Sequence, residues 1–273
     1  MAGSDDGGPQ PGGTLTETLP EADLAGYQPT SRPIWLEALF PLDWLALHAS
    51  PVYYGFGVPR GNGEPVILVP GFLGSDRYLT EMHLWLRRIG YRPYFSGIGR
   101  NVDCPELLTQ RLLVTIQQAY AETNLPVTII GHSLGGMLAR AAAQRAQPQV
   151  RQVITMASPF RSVRAHPLIL SAANFVRSNI VRERRHRRQV TSACFTPDCT
   201  CVFVTTLKDD NMWVNGNTDF RRNAIFSKCD GVVDWRSCIE ENTDLNREVT
   251  ATHIGMAFNP DVYRTVATLL AGA

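Results

Sequence analysis

The stretch TIIGHSLGGM sets Ser133 at the centre of Gly131-His132-Ser133-Leu134-Gly135, between a run of apolar, β-branched residues and a segment of good helix formers. A serine hydroxyl is a weak nucleophile at neutral pH. It needs a base to accept its proton, a carboxylate to fix the tautomer of that base, and preorganised N–H donors for the oxyanion that follows attack. A Gly-x-Ser-x-Gly sequence on a strand-to-helix turn strains the serine backbone, lets strand and helix approach closely at the two glycines, and projects the hydroxyl above the sheet. The new helix aims its N–H groups and positive end at the same place. The chemistry that such a serine could do is acyl transfer.

Six histidines compete as the base. His132 adjoins the serine and should point elsewhere; His48 and His83 fall in helical patterns, and His166 and His186 in an irregular region. His253, in TATHIGMAF, follows the last strand-like run and precedes the last helix, which places it at the sheet end where Ser133 must also lie. The acid should fall between serine and histidine in chain order. Within SKCDGVVDWRSC, Asp230 comes directly after a strand-like run, whereas Asp234 reads as the N-cap of a turn. Asp209 and Asp210, after VFVTTL, are further rivals, since VFVTTL could itself be a strand. Asp230 is favoured. For the oxyanion, Leu134 supplies one N–H, and the loop VPGFLGSD offers Phe72 as the second, with Gly71 and Gly74 letting the loop bend over the serine.

These residues need a scaffold, and the chain supplies an alternation of strand-length apolar runs and helix-length amphipathic segments from Val66 onward. Strands are expected at 66–70, 92–96, 127–131, 150–158, 223–227 and 247–252, with helices near 77–90, 105–123, 134–145 and the C-terminus. Alternation implies parallel strands with helices on both faces. Residues 161–221 break the rhythm with an insertion that holds a helical stripe (Leu168, Ile169, Ala172, Phe175, Val176, Ile180), the basic run RERRHRR and three cysteines. Upstream, PIWLEALFPLDWLALHAS suggests a helix kinked at Pro41, packing Trp35, Leu36, Leu39, Phe40, Leu42 and Leu45 on the core. Residues 1–30 are rich in Gly, Pro, Asp and Thr and are expected to be a disordered tail, leaving 31–273 as a single domain.

With 273 residues, 44% apolar content and a formal net charge of +1, the chain can bury a full core and has no general attraction for nucleic acid. The start lacks the pattern of a secretory signal, so the chain as written reads as cytoplasmic. A trimmed leader together with oxidised cysteines would instead make it extracellular. Cys194, Cys199 and Cys201 cluster, but no fourth ligand stands at a zinc-site spacing, so no metal and no cofactor are expected. Cys229 and Cys238 bracket the acid candidate, and a disulfide between them would staple that loop.

Taken together, VILVPGFLGS, IIGHSLGGM, the SPF that follows the next strand, SKCDGVVDW and THIGMAF resemble the α/β-hydrolase fold, and within it the small bacterial lipases and carboxylesterases. The resemblance spans residues 64–272 less the insertion. It implies a mostly parallel sheet of about six strands with the insertion as cap or lid, Ser133 as nucleophile, His253 as base, Asp230 as acid, and Phe72 with Leu134 as oxyanion donors. The cysteines and basic run of the insertion match no lid pattern. Phe72, Leu73, Leu134, Val232, Val233, Ile254 and Met256 would surround the nucleophile, which favours an uncharged, apolar ester. A lipid interface is a candidate contact, and no obligate protein partner is indicated. A thioesterase, amidase or acyltransferase would use the same triad, and a non-catalytic binding protein of this fold would lack one member of it.

Overall fold

The computed structural model describes residues 33–162, 165–184, 201–208 and 220–272. A 3-10 turn at Ile34–Leu39 leads into α1 (Phe40–Ala49), the change falling beside Pro41, which sits in the first helical turn where a missing N–H costs nothing. The alternating part follows as β1 (Pro65–Val69), α2 (Thr80–Arg88), β2 (Arg92–Phe95), α3 (Pro105–Thr123), β3 (Val127–His132), α4 (Leu134–Arg145) and β4 (Val150–Met156). Helices α5 (Pro167–Arg184) and α6 (Val202–Lys208) lie in the inserted region, and β5 (Arg221–Phe226), β6 (Asn246–Glu248) and α7 (Pro260–Ala271) complete the chain.

Among the described residues the six strands form one sheet in the order β2-β1-β3-β4-β5-β6, every neighbouring pair parallel. The expected parallel sheet is therefore present. Its central strands are buried along their whole length, as strands covered on both faces must be. Val66, Leu68, Ile130, Ile154 and Ile225 face one core with α2 and α7, while Ile67, Val69, Ile129, Val153 and Ala224 face the other with α3 and α4. Because β1 is flanked by β2 on one side and β3 on the other, the winding reverses between β1 and β3. A crevice opens at the carboxyl ends of strands at such a switch point, and both the loop after β1 and the turn after β3 enter it.

Three expectations are corrected. VFVTTL forms helix α6 rather than a strand: Glu106 accepts the Phe203 N–H at 2.8 Å near the start of that helix, and Phe203 is buried in the core shared by α3 and α4. Tertiary contacts override the β-branched propensity here. The cap stripe is split, with Ile169 and Ile180 turned toward the body of the protein and Leu168 and Phe175 exposed. Most of the apolar stripe before residue 50 faces outward, leaving Trp35 65% and Leu42 61% exposed and Leu36 and Phe40 half-buried, while the buried positions are Leu47 and the carboxylate Glu37. Its polar side docks because the loops beneath it present backbone N–H groups that need acceptors. Residues 1–30, most of the basic run, Cys194, Cys199, Asp209 and Asp210 lie outside the described residues. Among the described residues no helix is long and apolar enough to cross a membrane.

Candidate active site

Ser133 stands between the last residue of β3 and the first of α4 with φ 52° and ψ −126°, a conformation that L-residues rarely adopt. The strain persists because the surroundings allow no alternative. A Cβ at Gly131 would lie 2.5 Å from the Gly136 Cα, and one at Gly135 would lie 2.4 Å from the Val69 carbonyl oxygen, so strand and helix meet only with glycine at both places. The Ser133 N–H donates to the Met156 carbonyl at 2.8 Å, which fixes the turn to the neighbouring strand.

His253 and Asp230 come together from loops that follow β6 and β5. The imidazole Nδ1 is 2.7 Å from Asp230 Oδ2, and both side chains are almost fully buried. The other carboxylate oxygen, Oδ1, accepts the backbone N–H groups of Val232 and Val233 at 2.8 and 2.9 Å. Asp230 is thereby fixed as an acceptor toward the imidazole, which puts the Nδ1 proton in the bond and leaves Nε2 free to act as a base. Burial alone would lower the His253 pKa; the charge of Asp230 and its hydrogen bond, helped by the charge of Glu37, outweigh that and raise it above its ordinary value. Asp234 caps the short turn at Trp235–Cys238 by accepting the Arg236 N–H at 3.0 Å, the role its position suggested.

The loop after β1 packs on the Ser133 turn so closely that a Cβ at Gly71 would approach both Ser133 Cβ and His132 Nδ1 to 3.0 Å. Its bend is made by Leu73, at φ 63°, and not by Gly71 or Gly74. Among the described residues nothing accepts the Phe72 N–H, and Leu134, as the first residue of α4, has no acceptor within its helix. Of the apolar residues named from sequence, Leu73 is exposed and Phe72, Leu134 and Ile254 are half-buried, while Val232, Val233 and Met256 lie inside the core. Val232 and Val233 reach the site through their backbone.

Three residues that the sequence left aside hold this arrangement. Asn101 accepts the Leu73 N–H on its carbonyl at 3.0 Å and donates from Nδ2 to the Pro70 carbonyl at 2.9 Å, clamping the loop after β1. His132, its pKa pushed down to about 3 by burial and then by the charge of His253, is neutral and donates from Nε2 to the His253 carbonyl at 3.0 Å. Glu37 accepts backbone N–H groups from Gly231, His253 and Ile254. Cys229 and Cys238 are separate thiols: the Cys238 Sγ is buried and directed at the Asp234 carbonyl, away from a bridge across the loop. The staple expected of a disulfide falls instead to Ser227, which donates to the Ala251 carbonyl at 2.6 Å and accepts the Cys229 N–H at 3.0 Å.

The mature form of lipase BlEst2 from Bacillus licheniformis has the same architecture, with a TM-score of 0.50 at 14% identity over 78% of this chain and 94% of that one. The chain has the α/β-hydrolase fold. A family described as the PGAP1-like alpha/beta domain matches residues 99–227, a stretch that includes Ser133 and stops short of Asp230 and His253. A triacylglycerol lipase from Burkholderia plantarii is 30% identical over 139 residues, 46% of this chain and 39% of that protein. Another triacylglycerol lipase, from Pseudarthrobacter phenanthrenivorans, is 32% identical over 106 residues, 36% of this chain and 33% of its own. The aligned stretches thus cover between 33% and 39% of the curated relatives.

Proposed function

We propose that this α/β-hydrolase cleaves uncharged carboxylic esters through an acyl-serine intermediate. The observation that carries the reading is the buried His253–Asp230 pair, held at 2.7 Å on the sheet edge where Ser133 adopts its strained turn. In this scheme Ser133 Oγ attacks the ester carbonyl while its proton passes to His253 Nε2. The tetrahedral oxyanion is met by the N–H groups of Phe72 and Leu134. Collapse breaks the bond to the alkoxide, which takes the proton from His253. Water, deprotonated by the same imidazole, then attacks the acyl-serine and releases the acid.

Phe72, Leu73, Leu134 and Ile254, which adjoin these groups and keep part of their surface exposed, are apolar and uncharged, which supports an apolar acyl or alkyl group over a charged one. The triacylglycerol lipases similar to this chain favour the same substrate class. Nitrophenyl esters of graded acyl length, assayed with wild type and Ser133→Ala, test the proposal. Activity should be lost in the variant and should depend on acyl length in wild type; equal rates in both proteins would rule Ser133 out as nucleophile.

A further inference from the structure

Glu37 is a carboxylate 5% exposed, placed by the 3-10 turn at Ile34–Leu39 in the seam between two catalytic loops. Burying a carboxylate is costly unless its lone pairs are satisfied, and among the described residues no cation pairs with this one. Its solvation comes from backbone. Oε1 accepts the Gly231 N–H at 3.0 Å and the His253 N–H at 3.1 Å, and Oε2 accepts the Ile254 N–H at 2.9 Å. One N–H belongs to the residue after Asp230; the other two belong to His253 and its successor. Hydrogen bonds to an ionised acceptor are the stronger kind, and three of them converge on one side chain.

The fit is close on every side. A Cβ at Gly231 would come within 3.2 Å of Glu37 Oε1, a contact tight enough to press on the carboxylate. Six residues onward, Asp43 is held by a side chain: its Oδ1 accepts from Asn259 Nδ2 at 3.1 Å, and a Cβ at Gly255 would fall 2.1 Å from its Oδ2. Opposite Glu37, His132 holds the His253 carbonyl, so the backbone of the base is gripped at its N–H and at its C=O.

From this geometry we infer that Glu37 is a positioning residue that locks the loop of the acid to the loop of the base, setting the His253–Asp230 contact by binding the backbone of both. The inference rests on the proposed roles of those two residues. Its charge adds a second effect, because a buried anion beside His253 favours the imidazolium that forms when Ser133 gives up its proton. The charged or titratable groups facing His253 are Asp230, Glu37 and His132, and those facing Glu37 include Asp43 and Tyr78.

The test compares Glu37→Gln and Glu37→Ala with Leu42→Ser, an exposed position on the same N-terminal segment, by ester kinetics, thermal melting and the proton NMR resonance of the His253–Asp230 hydrogen bond. Gln keeps the shape but turns an NH2 group toward one backbone donor. Both Glu37 variants should lose kcat, by up to the roughly hundredfold that a misplacement of about 1 Å costs, with KM near wild type. Gln should lose less than Ala. Their kcat/KM acid limbs should shift to lower pH, the NMR resonance should weaken or move, and Leu42→Ser should behave as wild type. Unchanged kcat per folded molecule together with an unchanged resonance would overturn the inference, even if the melting temperature falls, since Glu37 would then serve stability alone. Wild type without ester hydrolysis would defeat the proposed function but not this inference, because the resonance still reports whether Glu37 sets the contact.

Discussion

Replacing Asp230 by Asn changes one atom and should remove most of the activity. The variant amide has one acceptor oxygen, for which the paired Val232 and Val233 N–H groups compete with the His253 Nδ1–H. If the amide oxygen stays on the Val232 and Val233 N–H groups, which lie at 2.8 and 2.9 Å from Oδ1, the NH2 group takes the place of Oδ2 and donates to His253 Nδ1. If the amide flips, NH2 faces two N–H donors and both buried groups lose their acceptor, at about 1–3 kcal/mol each. The first orientation therefore wins. It forces the imidazole proton onto Nε2, the atom that accepts the proton of Ser133 in the proposed scheme. A wrong tautomer of this kind lowers kcat by about ten-thousandfold, or roughly 5 kcal/mol of transition-state stabilisation, with KM little changed. Asp234→Asn is the control. Asn caps a turn as well as Asp does, so the bond to the Arg236 N–H survives and kcat should stay close to wild type. Initial rates on a nitrophenyl ester compare the three proteins directly. Equal losses in the two variants, or a larger loss in Asp234→Asn, would refute the reasoning.

Other outcomes follow from the same geometry. The His253 pKa is raised above 6.5, and the base works only when neutral, so kcat/KM should fall as pH drops through a midpoint above 6.5; in Asp230→Asn the lowering by burial remains while the carboxylate charge is gone, and the midpoint should move to lower pH. A pH–rate profile checks both, and a midpoint that does not move would contradict the assigned partner. Gly135→Ala pushes a Cβ to 2.4 Å from the Val69 carbonyl, a backbone atom with nowhere to go, and should cost about 1–3 kcal/mol or more in urea unfolding along with the activity. Arg140, on α4 seven residues after Ser133, forms a buried ion pair with Glu240, so Arg140→Ala should destabilise the fold by about 3–5 kcal/mol in urea unfolding.

Much of the scaffold could be read from the chain because its signals were local. Pro105 opens α3, Asn124 at φ 54° ends it, and the apolar run into Gly131 followed by helix formers marks the β3–α4 turn. That Asp230 and His253 stand together could be anticipated because chain order and strand ends limit where candidate partners of Ser133 can lie. What sequence could not show is set by contacts distant along the chain. Glu37 lies 194 residues before Gly231 and 216 before His253, in a segment whose apolar spacing pointed to the wrong face. Asn101 and His132 act on backbone carbonyls, which leave no trace in residue type. VFVTTL looks like a strand until Glu106, 97 residues away, accepts the N–H of Phe203. The signal for Glu37 was present in one respect: an acidic residue amid large apolar ones, beside the glycines at 231 and 255 that make room for it and for Asp43.

The most direct test of the account is the covalent intermediate itself. Wild-type protein treated with a fluorophosphonate ester, digested and analysed by mass spectrometry should carry one phosphonyl adduct on Ser133, and Ser133→Ala should carry none. An adduct on another residue, or an unlabelled Ser133 in protein that still hydrolyses esters, would contradict the assignment of this strained serine as the nucleophile.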